Sequence, residues 1–246
     1  MSAKIDIVIT MAGLGSRFRK AGYDMPKYMI EAHGKTLFEW SLISLKGYQD
    51  HAGQYIFIVR KGDHAGDFIA GECSRLGIRN HRLVEIDYLT DGQATTAMLA
   101  CEVWDKDNQL LIYNIDTYVE AGQMCYDQLK GDGFIPCFRG EGDHWSFVRL
   151  DDTQRAVEVR EKVRISDYCT VGAYYFSSAG LYETLYREYY SDQNNLEKGE
   201  KYVAPLYNYM ISKHMAVYIS DIAPEAVHVL GTPEELELFV ANYRPL

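Results

Sequence analysis

Apolar residues fall in short runs along this chain, and the pattern of those runs changes near its middle. Residues 5–11 form a nearly continuous apolar stretch, suited to a strand buried on both faces. A short helical pattern follows at 37–45, a strand at 55–59, and a helix at 67–76 that ends near Gly77. Residues 83–86 read as a short strand, 95–103 as a helix with small residues on one side, and 110–115 as another buried strand. Strand and helix thus alternate through the first half, which predicts a mostly parallel sheet. In the second half, strand-like runs at 134–138, 145–150, 156–160 and 170–176 follow one another with few helices between. Val157-Glu158-Val159-Arg160 alternates with the period of a half-exposed strand, so antiparallel additions to the sheet are expected. Helices are predicted at 181–190 and 203–212 and short strands at 217–219 and 227–230, and Pro233 occupies the favoured first position of a last helix. The expected fold is α/β and three-layered. It forms one domain over 1–246, with two halves at 1–125 and 126–246.

The first strand runs into Gly13-Leu14-Gly15-Ser16-Arg17-Phe18, and Pro26-Lys27 follows. A loop with so little side-chain bulk can bring its backbone N–H groups close to phosphates, and two cations stand beside it. Three common phosphate motifs do not fit. The dinucleotide fingerprint needs a third glycine where Phe18 stands, and the kinase loop needs it too. Gly34-Lys35-Thr36 could end a P-loop, but the first glycine of that motif would fall on Met29. What remains is a glycine loop with Arg17 and Lys27, as a triphosphate site would have. The alternative is a tight strand-to-helix turn with solvated charges, which explains the glycines but not the paired cations.

Length and composition narrow the function classes. With 246 residues, 47% of them hydrophobic and 24% charged, the chain can bury a sizeable core. Its net charge of −10 argues against non-specific binding to nucleic acid or to an anionic membrane, so a nucleotide site must be a local basic pocket. No apolar run is long enough to span a bilayer and no signal-peptide pattern opens the sequence, which makes the cytoplasm the expected location. The five cysteines contain no C-x-x-C pair and read as reduced, mostly buried small hydrophobes. The histidines show no metal-ligand spacing.

The segment from Met11 and Ala12 through Gly13, Gly15, Arg17 and Phe18 to Pro26-Lys27 and Gly34-Lys35-Thr36-Leu37 resembles the signature of the sugar-phosphate nucleotidyltransferases, also called nucleoside-diphosphate-sugar pyrophosphorylases. Further matches follow in order. Asn114-Ile115-Asp116 resembles the family's metal-binding aspartate at a strand end, Glu161-Lys162 the start of its E-K-P motif, Gly172-Ala173-Tyr174-Tyr175-Phe176 its G-x-Y-x-F strand, and Gly231-Thr232-Pro233-Glu234-Glu235-Leu236 its closing G-T-P-E-D-L. The family's frequent C-terminal hexapeptide β-helix has no counterpart here. A short, capsular-polysaccharide type of member is therefore expected, with no attached acyltransferase.

The resemblance implies a Rossmann-like (GT-A-like) sheet and transfer of a nucleoside monophosphate from an NTP to a sugar phosphate or similar small phosphorylated metabolite, with release of pyrophosphate and with Mg²⁺ as cofactor. The product would serve as an activated polysaccharide precursor. Met11, Ala12, Gly13 and Gly15 would approach the triphosphate. Arg17 would hold the β- and γ-oxygens, Lys27 the α-phosphate, Lys162 the acceptor's phosphate, and Asp116 the metal. Asp91-Gly92-Gln93-Ala94 looks like the base-reading loop, with Gly92 giving close approach to a flat ring and Gln93 a donor and an acceptor. Asp87 stands where some relatives read the base. A carboxylate there favours a base edge bearing an N–H, which leaves cytosine, guanine and uracil open, with CTP slightly favoured.

Blander roles remain for several of these residues: a helix-start charge for Arg17, a turn cap for Asp116, a helix cap for Asp91. Val163 replaces the proline of E-K-P. Val229 stands where many relatives carry a second metal-binding aspartate, with His228 and Asp221 as nearby substitutes. Two other functions compete. A glycosyltransferase of related architecture should show D-x-D, but Asn114 holds its first position. A non-catalytic nucleotide-binding regulator should have lost the charged set, which is present. The expected partners are an NTP and a small phosphorylated acceptor, with no nucleic acid and no membrane, and oligomerisation is left open.

Overall fold

The computed structural model describes residues 4–244. In chain order the first half contains β1 (Ile5–Thr10), α1 (Ser16–Lys20), β2 (Glu31–Ala32), β3 (Lys35–Thr36), α2 (Leu37–Ile43), β4 (Ala52–Arg60), α3 (Gly66–Arg75), β5 (His81–Ile86), α4 (Gln93–Met98), β6 (Gln109–Asn114) and β7 (Thr117–Val119). The second half contains β8 (Gly133–Arg139), β9 (Ser146–Leu150), β10 (Ala156–Glu161), β11 (Tyr168–Thr170), β12 (Ala173–Phe176), α5 (Ala179–Tyr189), α6 (Ala204–Ser212), β13 (Val217–Ile222), β14 (Val227–Val229) and α7 (Pro233–Asn242).

Ten strands build one mixed sheet in the order β10-β9-β11-β8-β12-β6-β1-β4-β5, with β13 paired to β8. β1 lies parallel between β4 and β6, and β4 is parallel to β5. The chain therefore builds outward from β1 through β4 to β5 and then returns to β6 on the other side of β1. The crevice between the ends of β1 and β6 is the place where this reversal leaves room for a ligand. β12 runs antiparallel to β6, and β8, β9, β10 and β11 are joined by antiparallel pairing, while β13 is parallel to β8. The expected antiparallel additions are thus present.

Residues 170–176, expected as one strand, are two. Gly172 takes φ +79° and breaks the run. β11 then pairs with the end of β8 and β12 with its beginning, so one edge of β8 serves two strands. The sequence reading also passed over the small β2–β3 hairpin, whose turn places His33 and Gly34 at positive φ, and the short β7.

Both faces of β1 are buried, as its apolar run predicts. Ile5, Ile7 and Ile9 pack toward Phe38 and Leu42 of α2 and Ile69 and Cys73 of α3. Val8 packs on the other side with Ala94 and Ala97 of α4, Tyr182 of α5 and Tyr207 of α6. A third apolar cluster joins the two ends of the chain: Phe18, Leu37, Trp40 and Tyr118 meet Leu236 and Phe239 of α7. This cluster carries the glycine loop on one side and α7 on the other.

Candidate active site

A cleft of about 380 Å³ opens over the ends of β1 and β6, within the size range of small-molecule sites. Its floor is a hydrogen-bonded set. The Gln93 amide nitrogen donates to Asn114 Oδ1 and, at 3.3 Å, to Thr10 Oγ1. Thr10 and Asn114 end β1 and β6 in direct register. Gly172 lies against Asn114, whose side chain occupies the space a Cβ would need.

On one side stands the glycine loop. The N–H groups of residues 12–15 meet no acceptor among the described residues. Gly15 caps α1 in the left-handed region at φ +60°. Glycine is needed there for its backbone angle. Gly13 has open space around it. Arg17, in the first turn of α1, reaches the cleft and makes no ion pair among the described residues. The arrangement is a set of free donors and a free guanidinium at the mouth of a crevice.

Against the loop lies an ion pair, Lys27 Nζ to Asp116 Oδ2 at 2.7 Å, with Lys27 Cβ packed beside Gly15. Lys27 follows Pro26 and opens a 3₁₀ turn, which is anchored by buried Tyr28 with its hydroxyl on Asp63 Oδ2 at 3.0 Å. Asp116 bends away just past β6, and its carbonyl accepts from Leu230 N–H at 2.8 Å. The β14–β7 pairing thereby brings the Gly231 segment back beside Asp116. Asp116 is thus a cleft carboxylate just past the end of β6, with a cation already against it.

The other wall comes from the antiparallel half. Glu161 ends β10 and accepts from Ser146 Oγ; the Tyr174 hydroxyl joins Thr170 Oγ1 at 3.1 Å and Ser146 Oγ at 3.4 Å. His144 and Trp145 also face the cleft. Lys162 follows Glu161 with φ +54° and lies at the rim, its Nζ 2.9 Å from Tyr202 Oη and 3.2 Å from Glu161 Oε1. Burial works against its charge, but the Tyr202 hydrogen bond and the Glu161 carboxylate outweigh it and raise its pKa above the usual lysine range.

Several expected site residues have other surroundings. Gly92, with φ +136°, packs against the backbone of Lys201, which fills the space a Cβ at this position would need. Asp91 pairs with Lys201 Nζ at 2.9 Å and accepts from Thr95 Oγ1. Asp87 is exposed one residue past β5 and does not line the cleft. Neither substitute for the missing second aspartate lines the cleft. His228 stacks on Tyr118, with Nε2 at 3.4 Å from Glu120, and Asp221 pairs with Arg139 at 3.1 Å. The acidic residue that does line the cleft there is Glu235, whose Oε2 accepts from Gly231 N–H at 3.0 Å. Glu235 had been hidden by its cap position: its N–H donates to Thr232 Oγ1 at the start of α7, so the sequence showed a helix start and no site residue. Thr10, Ser146 and Tyr202 are likewise cleft residues that no motif singled out.

No family model and no curated protein matches the chain. Solved structures do. A nucleoside-diphosphate-sugar pyrophosphorylase from Vibrio cholerae RC9 is 37% identical over 96% of this chain and 100% of its own, with a TM-score of 0.89. An inositol-1-phosphate CTP transferase from T. maritima (14% identity, 100% and 99% coverage, TM-score 0.76) and a CTP:phosphocholine cytidylyltransferase from Streptococcus pneumoniae (16%, 97% and 98%, 0.74) share the fold. Identity of 37% over essentially the whole of both chains, with the glycine loop, the strand-end aspartate and the Glu161-Lys162 pair gathered around one crevice, places this chain in the sugar-phosphate nucleotidyltransferase (nucleoside-diphosphate-sugar pyrophosphorylase) family.

Proposed function

We propose that the protein transfers a nucleoside monophosphate from an NTP to a sugar phosphate or a similar small phosphorylated metabolite. An oxygen of the acceptor's phosphate forms a bond to the α-phosphorus, the bond from that phosphorus to the bridging β-oxygen breaks, and pyrophosphate leaves. Little covalent chemistry falls to the protein in such a step; it aligns the partners and neutralises charge. One observation carries the reading. Free loop amides, an unpaired Arg17 and the Lys27–Asp116 pair, whose lysine packs beside Gly15, gather at the end of the β1–β6 crevice. The loop and Arg17 suit the β- and γ-phosphates and the departing pyrophosphate, with arginine's planar fork matching two oxygens at once. Lys27 suits the α-phosphate. Lys162 at the rim suits the phosphate of the acceptor, and the Ser146, Tyr174 and Glu161 wall offers donors and acceptors to hydroxyl groups.

The donor set also fits Mg²⁺, a hard cation that takes carboxylate oxygens and keeps water and phosphate as its other ligands. Asp116 would hold it, and Glu235 is the second carboxylate beside Gly231. When bound, the ion would supply charge neutralisation on the phosphates. For the base, Gln93 Oε1 is the free acceptor, since its nitrogen is spent on Asn114 and Thr10. It would take an N–H of a base, as cytosine, guanine and uracil all offer. CTP, named for two of the structures that share the fold, therefore heads the panel.

The test is a matrix of the four common NTPs against sugar and polyol phosphates, read by pyrophosphate release with and without Mg²⁺. At least one pair should turn over, and Asp116→Asn should lower that turnover to about a hundredth or less while the protein keeps its melting transition. Full turnover by Asp116→Asn would remove that carboxylate from the chemistry.

A further inference from the structure

The segment just before α6 touches both working parts of the cleft. Lys201 is bridged to the base loop by two backbone hydrogen bonds: its N–H donates to Asp91 O at 2.7 Å, and Ala94 N–H donates to its carbonyl at 3.0 Å. Its ammonium closes the same contact on Asp91 Oδ2 at 2.9 Å. That hydrogen bond raises the Lys201 pKa, and although burial opposes it, the bonds from Thr95 and Lys201 lower that of Asp91. A Cβ at position 92 would collide with the Lys201 backbone, so Gly92 is what lets the two segments meet.

One residue further, the polypeptide reaches the acceptor side. The Tyr202 carbonyl is fixed by Tyr190 Oη at 2.6 Å, and its hydroxyl accepts from Lys162 Nζ at 2.9 Å, with that ammonium also 4.5 Å from the ring centroid. The other partner of Lys162 is its own neighbour, Glu161, which is held by Ser146. A lysine side chain loses rotamer freedom on being fixed, and among the described residues Tyr202 is the hydrogen-bond partner of this ammonium that comes from outside its own strand.

We propose that Lys201-Tyr202 is a strap that sets the base loop and the acceptor-binding cation as one unit, with Tyr202 the positioning residue for Lys162 and Lys201 the positioning residue for the base loop. The strap rests on the nucleotidyl-transfer reading given above. It acts through Lys162 and Asp91, and its two contacts lie on adjacent residues of one chain, so a disturbance at Lys201 is passed on to Tyr202, whereas loss of the Tyr202 hydroxyl leaves the backbone bridge of Lys201 to Asp91 and Ala94 in place.

Tyr202→Phe keeps the ring and removes the hydroxyl. Measured by pyrophosphate release, it should lower kcat/KM for the acceptor by roughly tenfold, the scale of one lost hydrogen bond to a charged group, and leave the KM for NTP within about twofold. In a Lys162→Met background the same change should have an effect below about twofold, because the group it positions is gone. A Tyr202→Phe effect that persists undiminished in that background overturns the proposal, since Tyr202 would then be touching the acceptor itself. Lys201→Met should raise both substrate KM values, and Lys201→Arg, which can keep the ion pair, should restore both; a rise confined to NTP overturns the coupling. These outcomes are read against the wild-type protein. Turnover by the wild type with additive variants overturns the strap alone, whereas a wild type that releases no pyrophosphate with any pair overturns the enzymatic reading together with the strap built on it.

Discussion

Arg17 has no ion pair among the described residues, in a protein with 35 acidic side chains and a net charge of −10. A guanidinium left unpaired at the mouth of a polar cleft is available to a ligand, and it stands beside loop amides that also lack acceptors. If it stabilises the charge that builds on pyrophosphate as the bond breaks, Arg17→Ala should lower kcat by on the order of 10²-fold. A change confined to KM, seen in steady-state kinetics at saturating acceptor, would assign it to ground-state binding of the NTP instead. Arg17, Lys27 and Asp116 could be picked out from the sequence because each sits at a fixed offset from a buried strand or a proline. Glu235 stood out only as a member of the closing motif and not as a site residue, because a glutamate three residues after Thr232 is also what any capped helix shows. Gly92 was legible as a special backbone position, but its neighbour was not: the residue that fills the space above it lies 109 positions away in the chain, at Lys201. Local sequence gives the conformation a residue needs, and only the assembled fold gives the atom that makes it necessary.

At the level of elements, the parallel half was readable because buried parallel strands are short apolar runs separated by helices, and residues 5–11, 55–59 and 110–115 each fall on a strand to within one residue. The register of the second half was not. Nothing in an apolar run shows that Gly172 divides it between two neighbours of β8, since the reason is Asn114 lying across the backbone from β6. That contact makes a sharp expectation. Gly172→Ala should destabilise the protein by about 1–3 kcal/mol, because a Cβ is strained at φ +79° and must also displace Asn114. Asn114 holds Gln93, so the displacement should also lower kcat/KM for NTP. Urea titrations of Gly172→Ala in the wild-type and Asn114→Ala backgrounds separate the two causes. The cost should be smaller in the second background, where the clash is relieved and the backbone strain remains. Equal costs would mean that Asn114 moves aside freely.

The whole molecule is closed on itself by the cluster in which Phe18 and Trp40 meet Tyr118, Leu236 and Phe239. The glycine loop is attached to the front of this cluster and Glu235 to the helix behind it, so its integrity sets the width of the cleft between them. His228 lies at its edge, stacked on Tyr118 with ring centroids 5.3 Å apart and facing Phe239 and Tyr243, with Glu120 as its one carboxylate contact among the described residues. Burial lowers the pKa of this imidazole, and Glu120 offsets the shift without reversing it. The sign follows from linkage. The folded protein takes up the proton less readily than the unfolded chain, whose histidine titrates near about 6.5, so the contribution of His228 is fully present above that pH and is lost as pH falls through it toward the lower folded value. The melting temperature should therefore drop between about pH 7.5 and 5.5, and His228→Phe, which keeps a ring against Tyr118 and carries no proton, should flatten that drop. Scanning calorimetry of the two proteins across the range checks it. Other groups titrate in both proteins alike, so the difference between the two curves isolates this residue, and parallel curves would take His228 out of the account.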